Sequence, residues 1–441
     1  MIVEFRSLAT VLFGLALSVP NAFAQETPPL AEPEAPPVTA TPAAEPSAPP
    51  AIAPVAAPAM TMPPAAVSEP SLSPPAASPL KIEGKNGTSI RLGLLLQPQL
   101  QAVNNPEMSG YSKNLYLRRA RILVGGTIFD KVEFFVDTDY PNLFLSSNTG
   151  TTEAPDYLKS TPGMNVQDAF ATYKAFGDYI KVDAGYMLPP MAHNAVQGAT
   201  TLYSWDYFGY TFQHNTNNAV FRSSGGPVGR DAGVQLRGLV VDGHIEYRVG
   251  LFQGLRENQT TGQPTNDVAA RNFFRATGRL QINLLDPETG FFYAGSYLGA
   301  KKILSIGGSA DIQDKYKYFA GDVFVDMPLG PGVVTGQIDV AHWDGGTFIP
   351  LLAKQTALMG EAGYNIANIW VNPIVRGEKR WGSTGSGGTA TIADEYRLGG
   401  GVAFWPYGHN TNVKAFYTYI KTTGAPKGYN QFNLQWQVYI F

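Results

Sequence analysis

From Ser89 onward, hydrophobic and polar residues alternate with a period of two along most of the chain. Ile180, Val182, Ala184 and Tyr186 alternate with Lys181, Asp183 and Gly185; Ile245, Tyr247, Val249 and Leu251 alternate with His244, Glu246, Arg248 and Gly250. A strand sends successive side chains to opposite faces, so each run has one apolar and one polar side. Segments of this kind begin near Ser89, Leu115, Lys131, Val166, Tyr179, Asp231, His244, Arg271, Lys302, Tyr316, Val333, Lys354, Ile369, Ile392, Asn412 and Tyr429. They predict about sixteen strands, the length of each suiting a tilted membrane strand of about 9 to 11 residues plus its rim.

The links between these runs alternate in length. Asn104 to Asn114, Pro141 to Asn165 and Pro189 to Arg230 are long, whereas Phe129-Asp130, Gly177-Asp178 and Asp242-Gly243 are tight. Ala367-Asn368 and Tyr407-Gly408 keep the tight side in phase. Bacterial outer-membrane barrels have short periplasmic turns and longer external loops. The expected fold is therefore all-β: a transmembrane antiparallel barrel, a meander with long external loops and both ends in the periplasm. Two links break the pattern, since Leu285 to Lys301 is long where a turn is due and Gln313 to Lys315 is short where a loop is due. An even strand count requires both to be real connections. Alternation also puts Phe432, Leu434, Trp436, Val438 and Ile440 on the lipid side, leaving the terminal Phe441 out of phase.

Composition agrees with a lipid-facing β-structure. Only 15% of residues are charged, against about one quarter in soluble domains, and there are 24 Phe and 22 Tyr. With no cysteine, disulfides, thiolate metal sites, cysteine nucleophiles and a lipoprotein anchor are all excluded. Residues 1–24 read as a signal peptide: an n-region Met1 to Arg6, an apolar stretch Leu8 to Val19 and the cleavage signal Ala22-Phe23-Ala24, with cleavage after Ala24. Residues 25–80 form a Pro/Ala-rich segment, Gln25 to Pro79 holding 17 of the 34 prolines and no aromatic residue. Such a stretch buries too little surface to offset its conformational entropy, so a disordered periplasmic spacer is expected, with cell-wall or periplasmic contact as the alternative. Residues 81–441 are the barrel domain, placed in the bacterial outer membrane.

The run Leu117-Arg118-Arg119-Ala120-Arg121-Ile122, then Gly125-Gly126-Thr127-Ile128-Phe129-Asp130 and Glu133-Phe134-Phe135-Val136-Asp137-Thr138-Asp139, resembles the phosphate-selective porin O and P family. Asp168-Ala169-Phe170-Ala171-Thr172-Tyr173 leading into Asp183-Ala184-Gly185-Tyr186-Met187-Leu188-Pro189-Pro190 is similar as well. The resemblance covers roughly Ile82 to Phe441. It implies a sixteen-stranded homotrimeric porin that conducts small, phosphate-like anions past a constriction of inward-folded loops. It also implies loop lysines at that constriction, yet Pro189 to Arg230 contains none. That loop carries Arg222, Arg230, His193 and His214 among Tyr203, Trp205, Tyr207, Phe208, Tyr210 and Phe212, which suits either a plugged lumen or a path for an amphipathic solute.

The charges support a pore without naming its solute. From residue 82 on there are 30 Lys plus Arg and 29 Asp plus Glu, so selectivity requires local segregation of charge. A charge facing lipid at mid-depth costs about 2–4 kcal/mol, which points Arg119 and Arg121 into the lumen, with cross-strand pairing to Asp137 or Glu133 as their structural role. Arg118 has the lipid-side phase near a strand end, where it can snorkel. Arg271, Arg275 and Arg279 share one strand face and form a candidate anion column, with Glu246 as a neutralising neighbour. Arg237, Arg248 and Lys181 have lumen phase and complete the candidate path with Arg222. The five histidines show no metal-ligand spacing and no Gly-rich phosphate loop precedes a helix, so neither enzyme nor cofactor is expected. The expected partners are small anionic solutes and outer-membrane lipid, not nucleic acid. A non-selective general porin and a blocked-lumen structural or adhesion barrel are the alternatives.

Overall fold

The computed structural model describes residues 80–104, 110–145, 163–207, 229–257, 260, 264–265, 270–349, 352–383 and 391–441. The signal peptide, nearly all of the Pro/Ala-rich segment, Arg222 and His214 lie outside the described residues. Sixteen strands form the wall. They are β1 (Ser89–Asn104), β2 (Tyr111–Ile128), β3 (Val132–Asp139), β4 (Asn165–Phe176), β5 (Ile180–Met187), β6 (Asp231–Val240), β7 (Ile245–Phe252) and β8 (Arg275–Asn283). The second half comprises β9 (Ile303–Gln313), β10 (Tyr316–Leu329), β11 (Gly332–Asp344), β12 (Lys354–Ile366), β13 (Val371–Ser383), β14 (Glu395–Tyr407), β15 (Thr411–Thr422) and β16 (Tyr429–Ile440). Each pairs antiparallel with the next, and β16 returns to β1 from Leu94↔Ile440 to Val103↔Gln431, closing the barrel. A short strand, Leu80–Glu83, pairs with the start of β1 beyond the point where β16 ends.

Both irregular links are real connections. Residues 284–302 join β8 to β9, and Asp314-Lys315 joins β9 to β10, so the even count stands. The tight turns, of three residues after Ile128 and four after Val240, carry left-handed backbone, with φ of 52° and 57° at Phe129 and Asp130 and 56° and 54° at Val241 and Asp242. Arg271 departs from the predicted strand: β8 begins at Arg275, and Arg271 sits in a two-residue strand paired with Arg256–Glu257, outside the wall.

The outward face is an uncovered apolar band that includes Val249, Leu251, Leu280, Ile282, Ile306, Ile338, Val375, Leu398 and Leu434. An antiparallel wall with no open edge and such a face pairs its backbone groups between strands, as a hydrocarbon environment demands. Inward positions are mostly polar, among them Gln99, Gln235, Gln281, Asn283, Gln435 and Asn433. On β10 to β12 the rule fails. There Tyr316, Tyr318, Ala341, Trp343, Ala357 and Met359 point inward and are buried under Leu188, Met191, Val196, Leu202 and Phe348.

The out-of-phase Phe441 lies beyond the last strand on the lumen side. Its ring packs edge-on to Phe135 at 5.6 Å, with the Arg91 guanidinium 4.7 Å above it. Gly93 and Gly125 make this seat: a Cβ at Gly93 would lie 2.5 Å from the Ile440 carbonyl oxygen, and one at Gly125 2.7 Å from Phe441 Cζ. Gly93→Val is therefore expected to weaken the closing seam by about 1–3 kcal/mol. A lowered midpoint in urea unfolding of the refolded barrel is the measurement; an unchanged midpoint would show that the seam tolerates the bulk.

Candidate permeation site in the barrel lumen

Two segments fold into the lumen from opposite ends. The first, residues 188–207, follows β5, where Pro189-Pro190 stops the ladder by removing its donors. Its short turn His193–Val196 aims backbone N–H groups at wall carboxylates: His193 donates to Asp322 at 3.1 Å and Asn194 to Asp339 at 3.3 Å. Ala192 N donates to Tyr318 Oη at 3.2 Å. The apolar side of this segment covers the inward patch of β10 to β12, which explains why those wall positions are not polar.

The second segment is the long link 284–302. Tyr293 N donates to Val196 O at 3.1 Å, Gly198 N to Tyr293 O at 2.9 Å and Gly295 N to Thr201 O at 2.9 Å, so the two segments share a short stretch of backbone pairing. Gly295 permits this approach, since a Cβ there would lie 2.5 Å from Tyr203 N. The anomalous link is thus a second inner segment, not a periplasmic excursion.

A buried ion pair locks the segments together. His193 Nε2 lies 2.9 Å from Glu288 Oε2 with both side chains fully buried, and Tyr297 Oη and Gln281 Nε2 donate to the same carboxylate at 2.8 and 2.9 Å. The imidazole stacks between Tyr293 at 4.9 Å and Phe324 at 4.1 Å. Burial alone would discharge both groups, but their mutual attraction prevails: it raises His193 above its ordinary 6.5 and lowers Glu288 below its ordinary 4.5. The pair's contribution is therefore complete between about pH 4.5 and 6.5. It is lost as pH falls through the lowered Glu288 value or rises through the raised His193 value. We expect hydrogen exchange of residues 188–207 to accelerate on the alkaline side, and His193→Gln to remove that alkaline step; a step that persists in the variant would assign it elsewhere.

At its far end the first segment meets β2. Asp206 accepts from Arg118 Nε at 2.9 Å and Arg119 Nη2 at 2.7 Å, and Arg119 Nη1 also donates to Gln97 at 2.8 Å. Burial works against the Asp206 charge, but the two guanidiniums hold its carboxyl well below the usual range. From the other wall Arg376 donates to the Asp206 carbonyl at 2.7 Å and Lys414 to the Ser204 carbonyl at 3.0 Å. Arg118, expected on the lipid side, is instead buried in the lumen against Asp206. A register shift opposite Leu96–Pro98 sets Arg118 and Arg119 against Gln97 alone, and this bulge turns both arginines inward.

The remaining predicted cations are paired. Arg121 bridges Asp137 at 3.1 Å and Asp139 at 2.9 Å across the β2–β3 ladder, while Glu133 pairs with Lys174 instead. Arg237 meets Asp183 at 2.8 Å, Lys181 meets Asp178 at 2.5 Å and Arg248 meets Glu246 at 2.8 Å. The three-arginine column does not form. Arg275 is fully buried on Asp311, with Nε–O distances of 2.9 and 3.0 Å, and Arg279 is buried on Asp322 at 2.6 Å. Arg271 is exposed and 3.7 Å from Glu257. Glu246 neutralises Arg248 rather than the column.

A cavity of about 210 Å³ lies on the external side of the first segment and one of about 660 Å³ on the periplasmic side. The larger is lined by seven basic side chains (Arg91, Arg121, Lys174, Lys181, Arg230, Arg237, Lys301) and four carboxylates (Glu133, Asp137, Asp168, Asp178). The smaller has Arg118, Arg376 and Arg397 against Asp206 and Glu378. The positive surplus is local, as a near-neutral chain requires. Asp206, Glu288, Tyr293 and Lys301 were not singled out by alternation, because all four lie on the inner segments, where no strand period exists.

Residues 91–221 match the family model described as phosphate-selective porin O and P. Among solved structures, the chain is similar to OmpF of Salmonella typhi in complex with daunomycin, at 13% identity and TM-score 0.49, covering 81% of this chain and 99% of that one. The outer membrane channel DcaP of Acinetobacter baumannii gives 11% identity and TM-score 0.49 over 81% and 99%. A loop L8 deletion mutant of OmpT from Vibrio cholerae gives 14% and 0.48 over 80% and 99%. No curated protein sequence matches. The closed sixteen-strand wall, its apolar outer band and its charged lumen have the architecture of an outer-membrane porin, and residues 91–221 match the pattern of the phosphate-selective porin O and P family.

Proposed function

We propose that this chain is a pore for passive diffusion of small anions, phosphate-like solutes included, across the outer membrane. The observation that carries the reading is the excess of basic over acidic side chains lining the larger lumen cavity, seven against four, in which Arg91 and Lys301 make no ion pair among the described residues. Rings and patches of Arg and Lys favour anions because they lower the cost of stripping and passing negative charge in a confined space. In this reading Arg121, Arg230, Arg237 and Lys181 form the periplasmic half of the path, and Arg119 stands at the constriction. Arg248, Arg275 and Arg279 brace the wall through their carboxylate partners; Arg222 lies outside the described residues. Export by a signal peptide over residues 1–24, a periplasmic spacer over 25–80 and a homotrimer of the 81–441 domain complete the proposal.

Planar-bilayer recording tests it. In a KCl gradient the reversal potential is expected to have the sign of chloride preference, and Lys301→Gln to move it toward zero. A cation-selective potential overturns the reading. The two interlocked inner segments favour a blocked barrel as the second reading, and absence of any ion current from the pure refolded protein would establish that one instead.

A further inference from the structure

The larger cavity is not simply a basic vestibule, because a continuous row of phenyl rings runs along it. Phe441 packs on Phe135 at 5.6 Å between centroids, Phe135 on Phe170 at 5.9 Å and Phe170 on Phe291 at 4.3 Å. Guanidinium groups stand at both ends of the row: Arg91 lies 4.7 Å over Phe441 and Arg237 5.5 Å over Phe291. All six residues line the same cavity of about 660 Å³.

In a water-filled lumen such rings lose free energy wherever they meet solvent, and polar side chains line most of the remaining wall. Part of the row packs the link 284–302 onto β3 and β4, which accounts for Phe170 being buried. It does not account for the rings that still border open space beside cations. Arg91 has no carboxylate partner among the described residues, and Arg237 engages Asp183 through Nε alone while its guanidinium carbon stands 5.5 Å over the Phe291 ring. A phenyl floor bracketed by guanidiniums is complementary to a planar ligand that carries one negative group. The ligand's ring lies offset or edge-on to the phenyls, and its anion meets a guanidinium whose own face is already stacked.

We infer that the periplasmic-side cavity is a binding subsite for aromatic carboxylates, so that among small anions the pore favours arenecarboxylates over saturated ones of equal size and charge. The inference rests on the anion-pore reading above and adds the solute class. An inorganic phosphate uses only the cations of this site, whereas a benzoate-like ion uses both the cations and the rings.

The test compares benzoate with cyclohexanecarboxylate, which matches it in charge and nearly in volume but lacks the π face. Benzoate added on the periplasmic side is expected to block the KCl current at about threefold to tenfold lower concentration, the range that aromatic pairing supplies. Phe291→Leu should bring the two blocking concentrations together. Equal block of the wild-type pore by the two ions overturns the inference even if the reversal potential shows anion preference. A preference that survives in both Phe291→Leu and Phe135→Leu likewise removes these rings from the site. A cation-selective reversal potential would instead overturn the anion-pore reading itself, so the two failures are distinguishable.

Discussion

Arg279→Met is expected to destabilise the packed lumen by about 3–5 kcal/mol, because it leaves the Asp322 carboxylate buried without its guanidinium. Arg279 on β8 reaches across β9 to β10, binding Asp322 through both Nη atoms at 2.6 and 2.8 Å. The same group donates to the Met191 carbonyl at 3.1 Å and to Tyr293 Oη at 3.2 Å, so one cation touches the wall and both inner segments. Gly307 on the intervening strand makes room, since a Cβ there would lie 2.4 Å from Arg279 Nη2. The expected readout is faster amide exchange over residues 188–207 and a lower urea midpoint. Replacing the pair together, Arg279→Met with Asp322→Leu, should restore most of the loss, because removing both charges leaves no uncompensated one. A double variant as unstable as the single would mean that the Met191 and Tyr293 contacts, or the His193 N–H that Asp322→Leu leaves without its acceptor, carry the effect and not the ion pair.

Asp206→Ala should have a comparable local cost, about 3–5 kcal/mol, at the opposite edge of the same segment. It removes the carboxylate that Arg118 and Arg119 share and the acceptor of Tyr207 N at 2.9 Å. Residues 202–206 remain held through their carbonyls by Arg376 and Lys414, so the segment is expected to fray at its tip rather than leave the lumen. Single-channel recording should then show larger and noisier current, with the reversal potential shifted further toward anions because two guanidiniums lose their counter-charge. Because the two arginines hold Asp206 ionised well below the usual carboxylate range, the wild-type constriction should keep its conductance through mildly acidic pH, where this variant differs from it in level but not in pH slope. Unchanged current in Asp206→Ala would place the narrow point elsewhere.

The barrel was legible in the chain because its determinants are local. A strand between lipid and a wet lumen must alternate, and the alternation from Ser89 to Ile440 yields the sixteen wall strands with most starts displaced by only a few residues. The tight turns were legible for the same reason, and the two anomalous links, taken at face value, closed an even count. Even the misfit of Phe441 was informative: its phase places it inside, where Gly93 and Gly125 leave space for it. A resemblance in the first wall strands pointed to the family pattern that matches residues 91–221.

What alternation alone did not determine is whatever depends on contact between distant parts of the chain. Arg118 misled because a bulge adds one residue to β2 and flips the phase, and the bulge is defined by its pairing with Gln97 on another strand. The arginine column dissolved because Arg271 lies beyond the wall, while Arg275 and Arg279 found Asp311 and Asp322 on strands 36 and 43 residues away. On β10 to β12 an apolar inward face is stable only because residues 188–207 lie over it. Closure into a membrane barrel is written along the chain, since period and polarity answer to lipid and water one residue at a time. What the lumen presents is settled by folding, because each inward charge takes its meaning from the partner that distant strands bring to it.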